Sequence, residues 1–110
     1  MEKRNKPEWS LTRIYDLAAR QAIVYGSSRV QNTTGNLGYG IESVCECLSR
    51  LTLEHFQHAV RYSDSEPWLD VYRIKYRGPT DQDDPLYIKL RLNRDCILIV
   101  LCSFHLEGAL

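Results

Sequence analysis

The sequence predicts an α+β fold: N-terminal helices followed by an antiparallel sheet of about four strands. Three observations carry this. Apolar residues recur at helical spacing between Leu11 and Leu51. From His55 onward the apolar period shortens from 3.6 to 2. The strand candidates are joined by short polar connections, which favour antiparallel neighbours. At 110 residues the chain has the size of one domain, 1–110. Its apolar fraction of 44% and charged fraction of 25% exclude a disordered or collagen-like chain.

Ser10 is a good N-cap, and Leu11, Ile14, Tyr15, Leu17, Ala18 and Ala22 follow at helical intervals. The first helix is expected over about 11–22. Ala22 to Tyr25 extends it or forms a short strand. Gly26 to Gly40 is rich in Gly, Ser, Asn and Thr and reads as a loop with at most one helical turn. Its glycines lack the spacing of a phosphate loop. Ile41, Val44, Cys45, Leu48 and Leu51 form one stripe, a second helix. Strands are expected over 56–62, 68–77, 86–93 and 96–104. The last is apolar on both faces and should be central or covered on both sides.

The longest apolar run, Cys96 to Cys102, is far short of the ~20 residues of a membrane helix. The segment Met1-Glu2-Lys3-Arg4-Asn5-Lys6-Pro7 has no apolar core for a signal peptide. The expectation is a cytoplasmic protein without a membrane partner. Four cysteines, Cys45, Cys47, Cys96 and Cys102, then read as free thiols packing as small hydrophobes. Cys45 and Cys47 point apart on a helix, and no Cys/His pair has zinc-ligand spacing. No metal or cofactor is expected.

Net charge is zero, from 14 basic and 14 acidic side chains. A globally basic nucleic-acid binder is excluded, but a locally basic face is not. Leu86, Ile88, Leu90 and Leu92 share one face of their strand; Tyr87, Lys89, Arg91 and Asn93 share the other. In the preceding strand Arg73, Lys75 and Arg77 have one parity. If the two strands pair, five cations and Tyr87 lie on one sheet surface. Acidic residues are absent from both stretches after Asp70 and collect at Asp81, Asp83 and Asp84 in the connection. Such a face suits either plain solubility or phosphate binding. An aromatic ring among cations is a common platform for single-stranded nucleic acid.

All three histidines, His55, His58 and His105, lie in the C-terminal half. Two histidines beside a cationic sheet would suit metal-free RNA cleavage. One takes the proton of the ribose 2′-OH and the other protonates the leaving 5′-oxygen. Lys89, Arg73 or Arg91 stabilises the phosphorane charge.

The opening Met1-Glu2-Lys3-Arg4, the Tyr62-Ser63-Asp64 turn, Trp68-x-Asp70-Val71-Tyr72-Arg73, Tyr87-Ile88-Lys89 and the terminal Ser103-Phe104-His105 occur in this order. As an ordered set they resemble the MqsR family (motility quorum-sensing regulator) of type II toxins, over nearly the whole chain. The resemblance implies a RelE-like toxin fold and an endoribonuclease (mRNA interferase) that cuts mRNA, on the ribosome or off it. It also implies a cognate antitoxin with a helix-turn-helix DNA-binding domain. The family's tyrosine before Ile-Lys corresponds to Tyr87. Its lysine after the terminal Ser-Phe is replaced by His105. The nearest match to its first-strand lysine is His58, and its glutamine between the tryptophan and the aspartate is Leu69.

The catalytic candidates are therefore His58, Tyr87, His105 and Lys89, with Arg73, Lys75 and Arg91 as RNA contacts. Two alternatives stand beside the nuclease. One is a non-catalytic module that binds RNA or the antitoxin. The other is a metal-dependent nuclease built on Asp81, Asp83 and Asp84.

Overall fold

The computed structural model describes residues 1–108. Six strands form one sheet: β1 (Glu2–Arg4), β2 (Ile23–Tyr25), β3 (Phe56–Arg61), β4 (Leu69–Arg77), β5 (Asp83–Leu92) and β6 (Ile99–Leu106). The spatial order is β1-β3-β4-β5-β6-β2, antiparallel except for the parallel β2–β6 pair. The α+β class follows from this, with two short edge strands beyond the four expected. β1 is polar throughout, and β2 has only three residues, so neither carries an alternation to read. β6 lies between β5 and β2, the interior position its apolar sequence requires.

Helix α1 (Leu11–Ala19) begins at Ser10, whose side chain accepts from the Arg13 amide. It ends three residues earlier than expected. Gln21 turns to φ 55°, Gln21 N–H donates to the Ala18 carbonyl, and Ala22 N–H donates to the Leu17 carbonyl. This is a Schellman closure with a non-glycine at the left-handed position. Helix α3 (Ile41–Ser49) buries Val44, Cys45, Cys47 and Leu48. Both helices join one core with Tyr72, Leu86, Ile88, Leu90, Leu92, Ile99, Leu101 and Phe104. Buried Asp70 ties the entry to α1 against the sheet. Its carboxylate accepts the amides of Glu8 (3.0 Å) and Trp9 (2.9 Å).

The loop expected over 26–40 is corrected by α2, a helix from Ser28 to Asn36. Only Val30 and Thr34 are buried in it, so there is no apolar stripe to detect. Local bonds support it instead: the Ser27 side chain accepts from Val30 N–H, and the Thr33 and Thr34 hydroxyls donate to the Arg29 and Val30 carbonyls. Gly38, at φ 87°, closes it in a second Schellman motif. Gly26 brings α2 against β6. Its N–H donates to the Leu101 carbonyl at 2.7 Å, and a Cβ there would stand 3.1 Å from that oxygen.

Two further corrections concern strand ends. β6 starts at Ile99, not Cys96. The Asn93 side chain accepts the amides of Ile97 and Leu98, and Cys96 adopts φ 56°, so 93–98 is a turn. β5 starts at Asp83, because the β4–β5 hairpin closes within Gly78–Gln82 through Gly78 N–H to the Gln82 carbonyl.

Candidate nucleic-acid interface and active site

One face of the sheet is covered by α1 and α3. The other carries the charge. The β4–β5 register pairs Arg73 with Tyr87 and Val71 with Lys89. Arg73, Lys75, Arg77, Tyr87, Lys89 and Arg91 therefore share one face, as alternation predicted.

The register also decides where the histidines point. Between Lys89 and Leu90 the β5–β6 pairing shifts: Lys89 faces Ser103, but Leu90 faces Leu101. Cys102 is the extra residue of a β-bulge. Strict alternation from Leu101 would turn Phe104 outward and His105 into the core. The bulge reverses this, burying Phe104 opposite Ile88 and setting His105 opposite Tyr87. A second shift lies between Phe56 and His58. It puts Phe56 opposite core Tyr72 and His58 opposite Val71, on the charged face.

At the centre of this face Tyr87 and His105 stack, with ring centroids 5.0 Å apart and planes 17° apart. His105 is only 8% exposed. Its Nδ1 lies 2.7 Å from the Leu106 carbonyl. A carbonyl only accepts, so Nδ1 carries the hydrogen and Nε2 is the nitrogen left for chemistry. Lys89 Nζ donates to the Tyr62 hydroxyl at 2.8 Å and lies 5.3 and 5.9 Å from the Tyr62 and Tyr87 ring centroids. Burial pulls its pKa down, but the hydrogen bond it donates to Tyr62 and the two neighbouring phenols outweigh it, and the net shift is upward. Lys89 is thus held as an ammonium. Tyr62, expected at the end of the 56–62 strand, lies instead just past β3 in the β3–β4 connection.

His58 does not join that pair. It is three strands from His105, and a spacing of about 4.8 Å per strand puts their backbones at least ~14 Å apart. An acid and a base each within about 3 Å of oxygens on one phosphorus need to be closer. His58 instead lies in the row His58–Val71–Lys89–Ser103. Burial first, then the charges of Lys3, Arg73 and Lys89, lower its pKa. His55 has a structural use: its Nδ1 accepts the Thr52 amide at 3.0 Å and caps the short 3₁₀ turn Leu53–His55.

The cations are not equally available. Arg77 bonds Asp81 (3.1 Å) and Asp83 (3.4 Å), and Arg73 bonds Glu107 (3.0 Å). The supposed absence of acids beside these strands is corrected accordingly: Asp83 and Asp84 are inside β5. Asp84 is buried and accepts from the Tyr39 hydroxyl at 2.7 Å. All three aspartates offered for a metal are thus engaged, Asp81 and Asp83 by Arg77 and Asp84 by Tyr39.

Two clefts share Cys102. One, of about 260 Å³, is lined by Tyr62, Glu66, Pro67, Leu69 and Arg91. The other, of about 180 Å³, lies between α2 and β6 and includes Arg29, Ser103 and His105. Burial raises the Cys102 thiol pKa, against the charges of Arg91 and Lys89. Cys47 is pushed up to about 12 by burial, then by Glu46 and Asp84, and is inert.

A family model described as "Motility quorum-sensing regulator, toxin of MqsA" matches residues 6–106. The chain belongs to the MqsR toxin family. The match spans the sheet from β3 to the end of β6 and all three helices, so it includes every residue of the charged face named above except Lys3 and Glu107. No curated protein matches the chain. Membership makes this a toxin of a toxin–antitoxin system. No helix among the described residues is long and apolar enough to cross a membrane.

Proposed function

We propose that this toxin is a metal-free endoribonuclease that cleaves mRNA by attack of a ribose 2′-OH on the adjacent phosphodiester. The observation that carries it is the Tyr87–His105 stack. A nearly buried imidazole, with its Nδ1 hydrogen spent on a carbonyl and Nε2 left over, stacks on a phenol ring whose centroid lies 5.9 Å from a fixed ammonium.

In this mechanism the 2′-oxygen bonds to phosphorus as its proton leaves. The bond to the 5′-oxygen breaks as that oxygen gains a proton. The products are a 2′,3′-cyclic phosphate and a 5′-hydroxyl. His105 Nε2 handles one of these protons, and Tyr87 positions the phosphate or relays the other. Lys89 and Arg73 offset the charge that builds on the phosphorane oxygens. Arg91 and Lys75 contact the RNA on either side, and His58, neutral and displaced, meets the chain beyond the cleaved bond. Zero net charge gives little long-range steering toward free RNA. A local patch working on message already held by the ribosome fits that balance. The partner that restrains the toxin is an antitoxin of the MqsA kind, with a helix-turn-helix DNA-binding domain, and the toxin acts in the cytoplasm.

The test is expression of His105→Ala and Tyr87→Phe beside the parent, scored for growth arrest and for cleavage of purified mRNA with and without ribosomes. The parent should arrest growth and leave 2′,3′-cyclic ends; His105→Ala should do neither. RNA left intact by the parent under both conditions would favour the binding module. Two variants as toxic as the parent would refute this active site.

A further inference from the structure

Of the residues that line the cleft between α2 and β6, only His105 takes part in the chemistry above. β2 pairs with β6 only over Ile99–Leu101. Beyond that point the edge of β6 is met by α2, and the gap between them is the cleft of about 180 Å³. Its walls are unlike in character. Val30 and Phe104 are apolar, and both are buried. Ser27, Thr33 and Ser103 bring hydroxyls. The Arg29 guanidinium stands at the rim with no acidic partner among the described residues. At the inner end is His105, more than nine-tenths buried, whose Nε2 has no partner among the described residues.

A slot with apolar walls, hydroxyls along it, a cation at its mouth and the proposed acid–base group at its end fits one kind of occupant. It is a nucleoside flanking the cleaved phosphate, with the next phosphate outside. We infer that the α2–β6 cleft is a nucleotide subsite: the base lies between α2, at Val30, and the edge of β6, and Arg29 binds the phosphate adjoining the scissile one. This rests on the nuclease reading and adds to it the place where sequence preference is set. RNA readers commonly recognise an unstacked base by hydrogen bonds to its edge. Here Ser27 and Ser103 supply them. The Thr33 hydroxyl hydrogen is committed to the Arg29 carbonyl at 2.8 Å, so Thr33 can only accept and selects a base edge with a donor.

The experiment compares two substrates. A dinucleotide carries only the scissile phosphate, and a hexanucleotide extends on both sides. Arg29→Gln should leave kcat/KM on the dinucleotide within about twofold of the parent and lower it about tenfold on the hexanucleotide, the worth of one charge-assisted phosphate contact. Thr33→Trp, which fills the slot from a half-buried helix position, should lower both. Equal loss from Arg29→Gln on the two substrates, or no loss on either, overturns the subsite. Binding of a hexanucleotide made uncleavable by 2′-deoxy substitution separates this idea from the nuclease. Arg29→Gln should weaken it and reduce the slope of log Kd against log salt by about 0.7. A parent that binds this probe through Arg29 but cuts nothing keeps the subsite and removes the nuclease. A parent that does not bind it removes the subsite and leaves the nuclease to the cleavage test with ribosomes.

Discussion

The two ends of the charged face have similar sequences and different electrostatics. At the hairpin end Arg77 is closed off by Asp81 and Asp83, residues of its own turn. At the centre Lys89 is held by a phenol, Arg91 donates only to the Leu92 carbonyl, and no carboxylate lies on either among the described residues. Arg73 is between these extremes, bonded to Glu107. A stripe of cations along two strands is thus not one patch. Where the hairpin turn supplies acids, the strand end is neutralised locally. Where the neighbouring strand supplies Tyr87, Ser103 and His105, the charge stays available for an anion.

The sharpest way to break this contrast is to remove one group from each end. His105→Ala should lower cleavage by about 10²–10⁴-fold, the usual range for a lost acid–base group. Arg77→Ala should leave cleavage within about twofold and stability within about 1 kcal/mol, as for other exposed ion pairs. A larger loss from Arg77→Ala in a cleavage assay would erase the distinction. Next in size, Lys89→Gln should reduce kcat about 10²-fold with little change in KM, because an ammonium aimed at developing charge acts mainly in the transition state. Smaller still, Glu107→Gln releases Arg73 and should tighten binding of an uncleavable RNA about threefold, within the range measured for exposed ion pairs. An unchanged Kd would mean Arg73 already faces the RNA.

The smallest effect concerns His58. Its folded-state pKa is below the unfolded value, so the unfolded chain binds more protons as pH falls below about 6.5. That contribution to stability is present above this range and is lost as pH falls through it. His58→Gln should flatten the pH dependence of thermal midpoint between about pH 7 and 5. A slope unchanged by the substitution would show that neither burial nor the charges of Lys3, Arg73 and Lys89 act on this ring.

The covered side gives a different kind of check. Asp70→Ala leaves the Glu8 and Trp9 amides without their acceptor and should cost about 1–3 kcal/mol in denaturant unfolding, from lost hydrogen bonding to a buried group. The same residues that belong to the recognisable Trp68-x-Asp70 motif therefore hold the helix entry, while the proposed chemistry lies on the other face.

The sequence by itself determined the α+β class, α1, α3, and the two faces of β5. Each rests on local periodicity, in which burial of Leu86, Ile88, Leu90 and Leu92 forces Tyr87, Lys89 and Arg91 outward. It also determined the family, through residues spread along the chain. Tertiary structure alone decided α2, which has too few apolar positions to announce itself and depends on docking against β6. It alone decided that Asp81 and Asp83 neutralise Arg77. Above all, it decided the histidines. A bulge at Gln57 and another at Cys102 each shift the register by one residue, and a one-residue slip exchanges the faces of a strand. No period within β3 or β6 marks where an extra residue will sit, because pairing with the neighbouring strand chooses it. That choice brings His105 to Tyr87 and turns His58 to the same face, where the strand order keeps it three strands away.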